Sequence, residues 1–193
     1  MNEPPAQPVF NTARLILRPL AESDAEALHE SYGDAGAMRY WDLPPSRDVA
    51  ETARRIKQSL NVPAHWHAAW AVVARADGQP IGGQLVGMVN YHHREPWNRR
   101  LEIGYILAPP HWRRGYMSEA MGVFLRHAFE GLGSHRVELT IEPGNAASIG
   151  LAEHLGFTRE TGVLRDRLCV AGEYRSVLLY ALLEPEWRAR GGR

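Results

Sequence analysis

The sequence has little cysteine, no excess of either charge and no long apolar run. Its single cysteine, Cys169, cannot form a disulfide within the chain. The 22 Lys and Arg residues balance the 22 Asp and Glu residues, so we expect neither nucleic acid nor an anionic membrane as a partner. No apolar run approaches the roughly 20 residues of a membrane span. Together these absences are typical of a cytoplasmic protein.

The length and the ends of the chain suggest a simple organisation. Residues 1–8 have neither the basic region nor the apolar region of a signal peptide. No repeat or low-complexity tract interrupts the sequence, and 193 residues fit one domain, 1–193, with a sizeable core. The tail 188–193 is expected to fray.

Segment 101–120 is the most informative part of the chain. Apolar residues alternate with others from Leu101 to Tyr105, which is the period of a strand. Pro109 and Pro110 end that strand because proline cannot donate to a ladder. A helical pattern then runs from about 116 to 130.

Between this strand and this helix lies Arg113-Arg114-Gly115. The first amides of a helix have no internal partner, and the helix dipole adds partial positive charge at the same place. Gly115 lets the backbone approach a ligand closely. The loop therefore predicts a phosphate-binding site.

Three segments, in order, resemble one family. Segment 101–120 resembles motif A of the GNAT superfamily of acyl-CoA-dependent N-acetyltransferases, whose Arg/Gln-x-x-Gly-x-Gly/Ala loop holds the pyrophosphate of coenzyme A. Segment 143–157 resembles the family's Asn-x-x-Ser…Gly-Phe helix, and segment 12–25 resembles the opening of the RimJ/RimL-type branch. The chain departs from the motif at two positions, where Trp112 and Met117 stand.

The resemblance implies acetyl-CoA as co-substrate, with no metal. It places the pyrophosphate on the loop and the helix start, and the pantetheine arm on free backbone groups of the preceding strand and on an asparagine side chain. These contacts would come from Arg113, Arg114, Gly115, Tyr116, Met117 and Ser118, from Ile106, Leu107 and Ala108, and from Asn145.

The order of the predicted elements favours a layered α/β domain with a mixed sheet. Strands are predicted at 14–19, 70–75, 81–91, 101–108, 136–142, 157–165 and 174–183. Helices are predicted at 23–32, after a Ser23-x-x-Glu26 capping box, after a Ser46 cap, at 116–130 and at 145–155. Asp77-Gly78 predicts a hairpin turn, and the glycines at 82, 83 and 87 suggest bulges or close backbone approach.

The resemblance implies a more specific architecture. The GNAT fold is a twisted six- or seven-stranded sheet, mostly antiparallel, with helices on both faces. Its strands splay apart after the motif A strand, and acyl-CoA enters there.

Amine acetylation needs a group that removes the amine proton, and Glu102 on the motif A strand is the candidate base. Relatives carry a catalytic glutamate on this strand, which acts directly or through water. Positioning of the substrate, or a solvated surface charge, are the alternatives. Glu138, Glu142 and Glu173 are rival candidates.

The leaving thiolate needs a proton, and Ser148 is the candidate general acid. Many relatives use a tyrosine four residues further along the helix, where this chain has Ala152. The alternative is a helix-start residue bonded to the backbone. Asn145 is likewise a favourable N-cap residue as well as a candidate for contact with pantetheine.

Three further groups of residues are of types that often serve function: two tryptophans, four histidines and the cysteine. Trp41 and Trp97 lie on loops that would flank the acceptor site in this family. A His-x-His pair at 65 and 67 and adjacent histidines at 92 and 93 have no third ligand nearby in the sequence, so no metal site is expected. Cys169 has no partner motif of a nucleophile.

The predicted function is acetyl-CoA-dependent transfer of an acetyl group to a primary amine, by direct attack. The acceptor could be a peptide or protein N-terminus, a lysine or a small-molecule amine, and the protein a monomer or a homodimer. A non-catalytic acyl-CoA-binding or regulatory module, and transfer of another acyl group such as succinyl, are the alternatives.

Overall fold

The structure is a computed structural model that describes residues 7–75 and 83–192. A mixed sheet of nine strands forms its centre. Five α-helices accompany the sheet. The strands are β1 (Phe10–Asn11), β2 (Leu15–Pro19), β3 (Ala68–Arg75), β4 (Gly83–Glu95), β5 (Arg100–Leu107), β6 (Arg136–Ile141), β7 (Thr158–Arg159), β8 (Leu164–Val170) and β9 (Glu173–Leu183). The helices are α1 (Ala25–Tyr32), α2 (Val49–Leu60), α3 (Tyr116–Arg126), α4 (Ala146–Leu155) and α5 (Glu184–Ala189).

The strand order is β1-β2-β3-β4-β5-β6-β9-β7, with β8 paired to β9. Only β5 and β6 are parallel, and the other pairs are antiparallel. This confirms the predicted fold class. The strand number exceeds the six or seven expected, because β1 and β7 are two-residue strands too short to read from a period.

Hydrophobic residues cover both faces of the sheet. Along β3, Trp70 and Val72 belong to the core cluster under α3 and α4, whereas Ala71 and Val73 belong to the cluster under α1 and α2. A strand buried on both faces reads as a continuous apolar run, which explains the sequence of this segment.

The glycine-rich strand β4 contains a bulge and a close backbone approach, as its sequence suggested. Val72 pairs with Gly87 but Val73 pairs with Leu85, so one residue of β4 is extra. A Cβ at Gly87 would lie 2.1 Å from the carbonyl oxygen of Ile106. The predicted turn at 77–78 and Gly82 lie outside the described residues.

Both predicted serine caps are wrong. Asp48 caps α2 by accepting from the Glu51 amide at 2.7 Å, while Ser46 is buried. A 3₁₀ turn leads into α1, where Asp24 accepts from the amide of Ala21 at 2.9 Å and pairs with Arg18. At α2 an aspartate close to the predicted serine takes its place as the cap, whereas Asp24 makes no side-chain cap bond to α1.

The C-terminal third differs most from prediction. The strand expected at 157–165 is divided between β7 and β8, and helix α5 was not predicted. Arg188, expected in a frayed tail, lies in α5 and pairs with Glu184 at 2.6 Å. The end of α4 is as predicted, since Gly156 adopts a left-handed φ of 92°.

The described residues include no helix with the length and apolar character needed to cross a membrane.

Candidate active site

The sheet opens between β5 and β6. Their parallel pairing starts at Arg100 and Arg136 and ends where Glu102 faces Glu138. Beyond this point β5 continues to Leu107, still paired with β4, and β6 continues to Ile141, still paired with β9. The splay after the motif A strand is therefore present, and Glu102 lies at its vertex.

The loop at the far end of β5 leads into α3 with the geometry of an anion site. Arg113 has a φ of 59° and Gly115 a φ of 75°, both left-handed. Such alternation of backbone conformation turns successive amides toward one side. Arg113, Arg114 and Gly115 are exposed, and α3 begins at Tyr116 with its first amides directed at the same place.

Sequence analysis missed the residue that anchors this loop, Arg14. Its Nε lies 2.6 Å from Oε2 of Glu119, and its Nη1 donates to the carbonyl of Arg114 at 2.8 Å. Its guanidinium also lies 5.0 Å from the centre of the Tyr116 ring. Burial raises the pKa of Glu119, but hydrogen bonds from Thr12 and Arg14 outweigh it and lower that pKa below its usual value. Arg14 stands in the resembling segment 12–25, which was its only sequence signal.

The backbone of 106–108 is less free than expected. Ala108 donates its N–H to Val86 at 2.9 Å, so the prediction of a free amide there is wrong. The carbonyl of Ile106 lies against Gly87 of β4. The carbonyl of Leu107 faces the loop instead and accepts from the Trp112 indole at 2.8 Å. Because backbone groups alternate in direction along a strand, Leu107 and Tyr105 are the residues that face the opening.

Glu102 contacts two imidazoles from β4. Its Oε1 lies 3.7 Å from His92 Nε2, and its Oε2 lies 3.3 Å from His93 Nδ1. Burial raises the pKa of Glu102, but hydrogen bonds from His92, Thr140 and His93 outweigh burial and lower that pKa to about 2. The carboxylate is therefore ionised throughout the physiological range.

These three residues are also the ones in the described ranges that could hold a metal ion. Potential ligand atoms of His92, His93 and Glu102 lie within 4.8 Å of one another. The third ligand that the sequence did not show thus comes from the neighbouring strand. His67 belongs to another contact, 2.6 Å from the Ser59 hydroxyl.

The rival glutamates are already paired or lie elsewhere. Glu138 bonds Arg100 and Arg136. Glu142 pairs with Arg175 at 3.1 Å. Glu173 begins β9 at the exposed β8–β9 turn. Among these four, Glu102 is the carboxylate at the vertex without an arginine partner.

On the other side of the opening, α4 presents Asn145 and Ser148. Asn145 is the N-cap, and its Oδ1 accepts from the Ser148 amide at 3.1 Å. The buried Tyr105 hydroxyl makes no hydrogen bond of normal geometry within the described residues, and it lies toward Ser148. Burial raises the pKa of this phenol, and the Ser148 hydroxyl counters part of the rise.

Tyr105 was missed as a candidate because it also fits the apolar period of β5. The position where many relatives carry a tyrosine, Ala152, is fully buried in the core. Tyr180, another phenol of this region, contacts Glu153 at 3.5 Å. The phenol beside Ser148 therefore comes from β5.

The tryptophans expected beside the acceptor, Trp41 and Trp97, have different surroundings. Trp41 packs near Tyr32, and Arg175 donates to its carbonyl at 3.3 Å, which ties this loop to Glu142. Trp97 is 78% exposed. The tryptophan that contacts the Glu102 cluster is Trp66, edge-on to His93 at 5.3 Å.

Two other features hold none of the predicted catalytic residues. Cys169 is exposed on β8. A surface depression of about 660 Å³ runs along α3 and includes Ser118 among its lining residues.

Known proteins share this fold and, at modest identity, resemble this sequence. A family model described as an acetyltransferase (GNAT) domain matches residues 14–158. The spermidine N(1)-acetyltransferase of Escherichia coli is 25% identical over 173 residues, covering 90% of this chain and 88% of that enzyme. The ribosomal protein uS5-alanine N-acetyltransferase of Escherichia coli is 25% identical over 190 residues, covering 92% of each. The crystal structure of a GNAT-family acetyltransferase from Bacillus anthracis has a TM-score of 0.78 at 26% identity, covering 92% of this chain and 99% of that one.

The chain belongs to the GNAT acetyltransferase family. It is an acetyl-CoA-dependent N-acetyltransferase that acts on an amine, which confirms the predicted enzyme class and co-substrate. Its sequence identity to the ribosomal N-acetyltransferases is modest.

Proposed function

We propose that this enzyme acetylates the α-amine at the N-terminus of a peptide or protein, with Glu102 as the group that meets the amine. The observation that carries the proposal is the isolation of Glu102 at the vertex of the opening. It is partly buried and ionised, and its partners are two imidazoles instead of an arginine.

The charge of the acceptor face favours a single ammonium group. Polyamines carry several positive charges, and a site for them would present several unpaired carboxylates. Here arginines compensate Glu138 and Glu142. Glu102 can attract and orient one ammonium group.

The basicity of Glu102 favours an amine that is partly neutral before it binds. A carboxylate with a pKa of about 2 is too weak a base to deprotonate a free lysine ammonium. At pH 7 about a tenth of an α-amine with a pKa near ~8 is neutral, against fewer than about one in a thousand lysine amines with a pKa near ~10.4. Glu102 then accepts the proton as the C–N bond forms.

The leaving group departs toward α4. As the C–S bond of the thioester breaks, Ser148 passes its hydroxyl proton to the thiolate and takes a proton from the Tyr105 phenol, which regains one from solvent as coenzyme A leaves. The loop amides at 113–118, with the Arg113 and Arg114 side chains, hold the pyrophosphate. The Leu107 backbone and the Asn145 amide nitrogen hold the pantetheine arm. Trp41 and Trp97 flank the acceptor.

A matched acceptor panel tests this function. The first peptide has a free α-amine and no lysine, and the second has a blocked α-amine and one lysine. Spermidine is the third acceptor, and coenzyme A release is the measurement. We expect the highest kcat/KM with the free α-amine. A preference for spermidine or for the lysine peptide would contradict the α-amine assignment while leaving the acetyltransferase intact.

A further inference from the structure

A bulge in β4 brings two adjacent histidines to the same carboxylate. His92 pairs with Glu102 and Glu95 pairs with Arg100, so two β4 residues stand opposite the single residue Leu101. In a regular strand neighbouring side chains point to opposite faces. His93 has a left-handed φ of 49°, and this turn directs its ring to Glu102 as well.

The resulting distances fit a small cation. Atoms bound to Zn²⁺ at about 2.0–2.1 Å in a tetrahedron lie about 3.3 Å from one another. His93 Nδ1 lies 3.3 Å from Oε2 of Glu102 and His92 Nε2 lies 3.7 Å from Oε1, so each imidazole is near tetrahedral spacing from one of the two carboxylate oxygens. All three residues can present donor atoms within 4.8 Å of one another.

The types of ligand favour zinc, and a neighbouring aromatic ring helps to hold one of the ligands in place. Two imidazoles and one carboxylate are ligands that zinc accepts, with a fourth position left open. Trp66 packs edge-on against the His93 ring, with the ring centres 5.3 Å apart. Such outer contacts hold ligands in place.

We infer that His92, His93 and Glu102 form a binding site for Zn²⁺ whose open position overlaps the place of the acceptor amine. The ion is not a cofactor of the acetyl transfer. It binds the Glu102 carboxylate, which would otherwise contact the acceptor amine, so zinc inhibits the enzyme in competition with the acceptor. The binding of zinc stands on the geometry alone, whereas the competition rests on the proposed function.

Calorimetric titration of untagged protein, freed of metal by EDTA and dialysis, tests the site. We expect one Zn²⁺ per chain in the wild type, at least about tenfold weaker binding in His92→Gln and His93→Gln, and similar weakening in Glu102→Gln. His154→Gln removes an exposed histidine of α4 and should bind zinc like the wild type. Mg²⁺ should give no binding, because it prefers oxygen ligands.

Acetyl transfer with varied acceptor and fixed acetyl-CoA provides the second measurement. Zinc should raise the KM of the amine without changing kcat, and His93→Gln should need at least about tenfold more zinc for the same inhibition. Equal zinc affinity in the wild type and in all three ligand variants would overturn the site. Zinc binding that needs these residues but does not compete with the amine would support the site and overturn the placement of the amine beside Glu102. Coenzyme A binding, followed by thermal stabilisation, verifies that each variant is folded.

Discussion

Arg14 and Glu119 are joined by a 2.6 Å contact between Nε and Oε2, across 105 residues of sequence. The backbone amide of Arg14 donates to the same carboxylate at 2.8 Å. The pair fastens the start of β2 to the first turn of α3, beside the predicted pyrophosphate loop. It thus fixes that loop in the position from which its amides can reach a ligand.

Replacing Arg14 should weaken coenzyme A binding. Arg14→Ala removes the side-chain contacts to Glu119 and Arg114 and keeps the backbone bond to Glu119, and we expect about tenfold weaker binding, which corresponds to about 1.4 kcal/mol, the order of one charge-assisted hydrogen bond. Calorimetry measures the affinity. Arg14→Lys keeps the charge but lacks the planar guanidinium, so its coenzyme A affinity should lie between those of the wild type and Arg14→Ala. Since Arg14 does not touch the amine, kcat at saturating acetyl-CoA should stay near the wild-type value.

Gly115 should tolerate no acidic side chain. Gly115→Glu adds a side chain and a negative charge at a left-handed position in the loop, so coenzyme A should no longer raise the melting temperature. Gly162→Glu is the matched control, because Gly162 is exposed with open space around it. Wild-type coenzyme A affinity in Gly115→Glu would contradict the placement of the pyrophosphate.

Glu102→Gln should lower kcat by about 10² or more, the lower range of a general-base contribution. Glu173→Gln, at the exposed turn, should leave kcat unchanged. The folded-state pKa of Glu102 lies near 2, below its ordinary value, so its carboxylate is lost only as the pH falls toward 2. A rise of wild-type kcat/KM between pH 7 and 9 is therefore not expected to come from Glu102, and we expect it to follow the titration of the amine. An inflection of kcat/KM between pH 5 and 9 that vanishes in Glu102→Gln would contradict a low pKa for Glu102. Full activity in Glu102→Gln would assign the general-base role to another glutamate.

Ser148→Ala should lower kcat and kcat/KM together while coenzyme A affinity stays nearly unchanged, because the serine acts on the departing thiolate. Tyr105→Phe should show the same pattern with a smaller loss. Tyr180→Phe, which removes a phenol near Glu153, should keep wild-type turnover. Steady-state kinetics with both substrates varied separates these cases. If Ser148→Ala loses thermal stability only, Ser148 is a helix-start residue and not the proton donor.

Single residues in the sequence correctly predicted where several strands and helices begin or end. The prolines after β5 restrict the backbone, Gly115 before α3 and Gly156 after α4 permit a left-handed φ, and the Asn145 side chain caps α4. Ser46 failed as a cap because Asp48, two residues later, satisfies the same amides. Which of two possible N-cap residues is used depends on the conformation of the chain just before the helix, and the sequence alone does not show that conformation.

The contacts of the site depended on distant parts of the chain. The approach of His92 and His93 to Glu102 requires a bulge whose position follows from strand pairing. The approach of Tyr105 to Ser148 requires α4, which packs against α3 and β6, to be in place. Arg14 reaches its partner only when the first strands are in place. Periodicity assigns a residue to a face, but it does not say which residue of another element meets it there.

The separation of β5 and β6 has a consequence for solubility. The described part of β5 beyond Glu102 has β4 on one side and no strand on the other, which leaves a row of backbone donors and acceptors inside the sheet. Open strand edges recruit other chains. In the proposed binding mode a pantetheine arm would occupy this row as a strand does, so we expect the co-substrate to reduce self-association as well. Concentrated protein stored without coenzyme A should consequently aggregate sooner than the same protein stored with it.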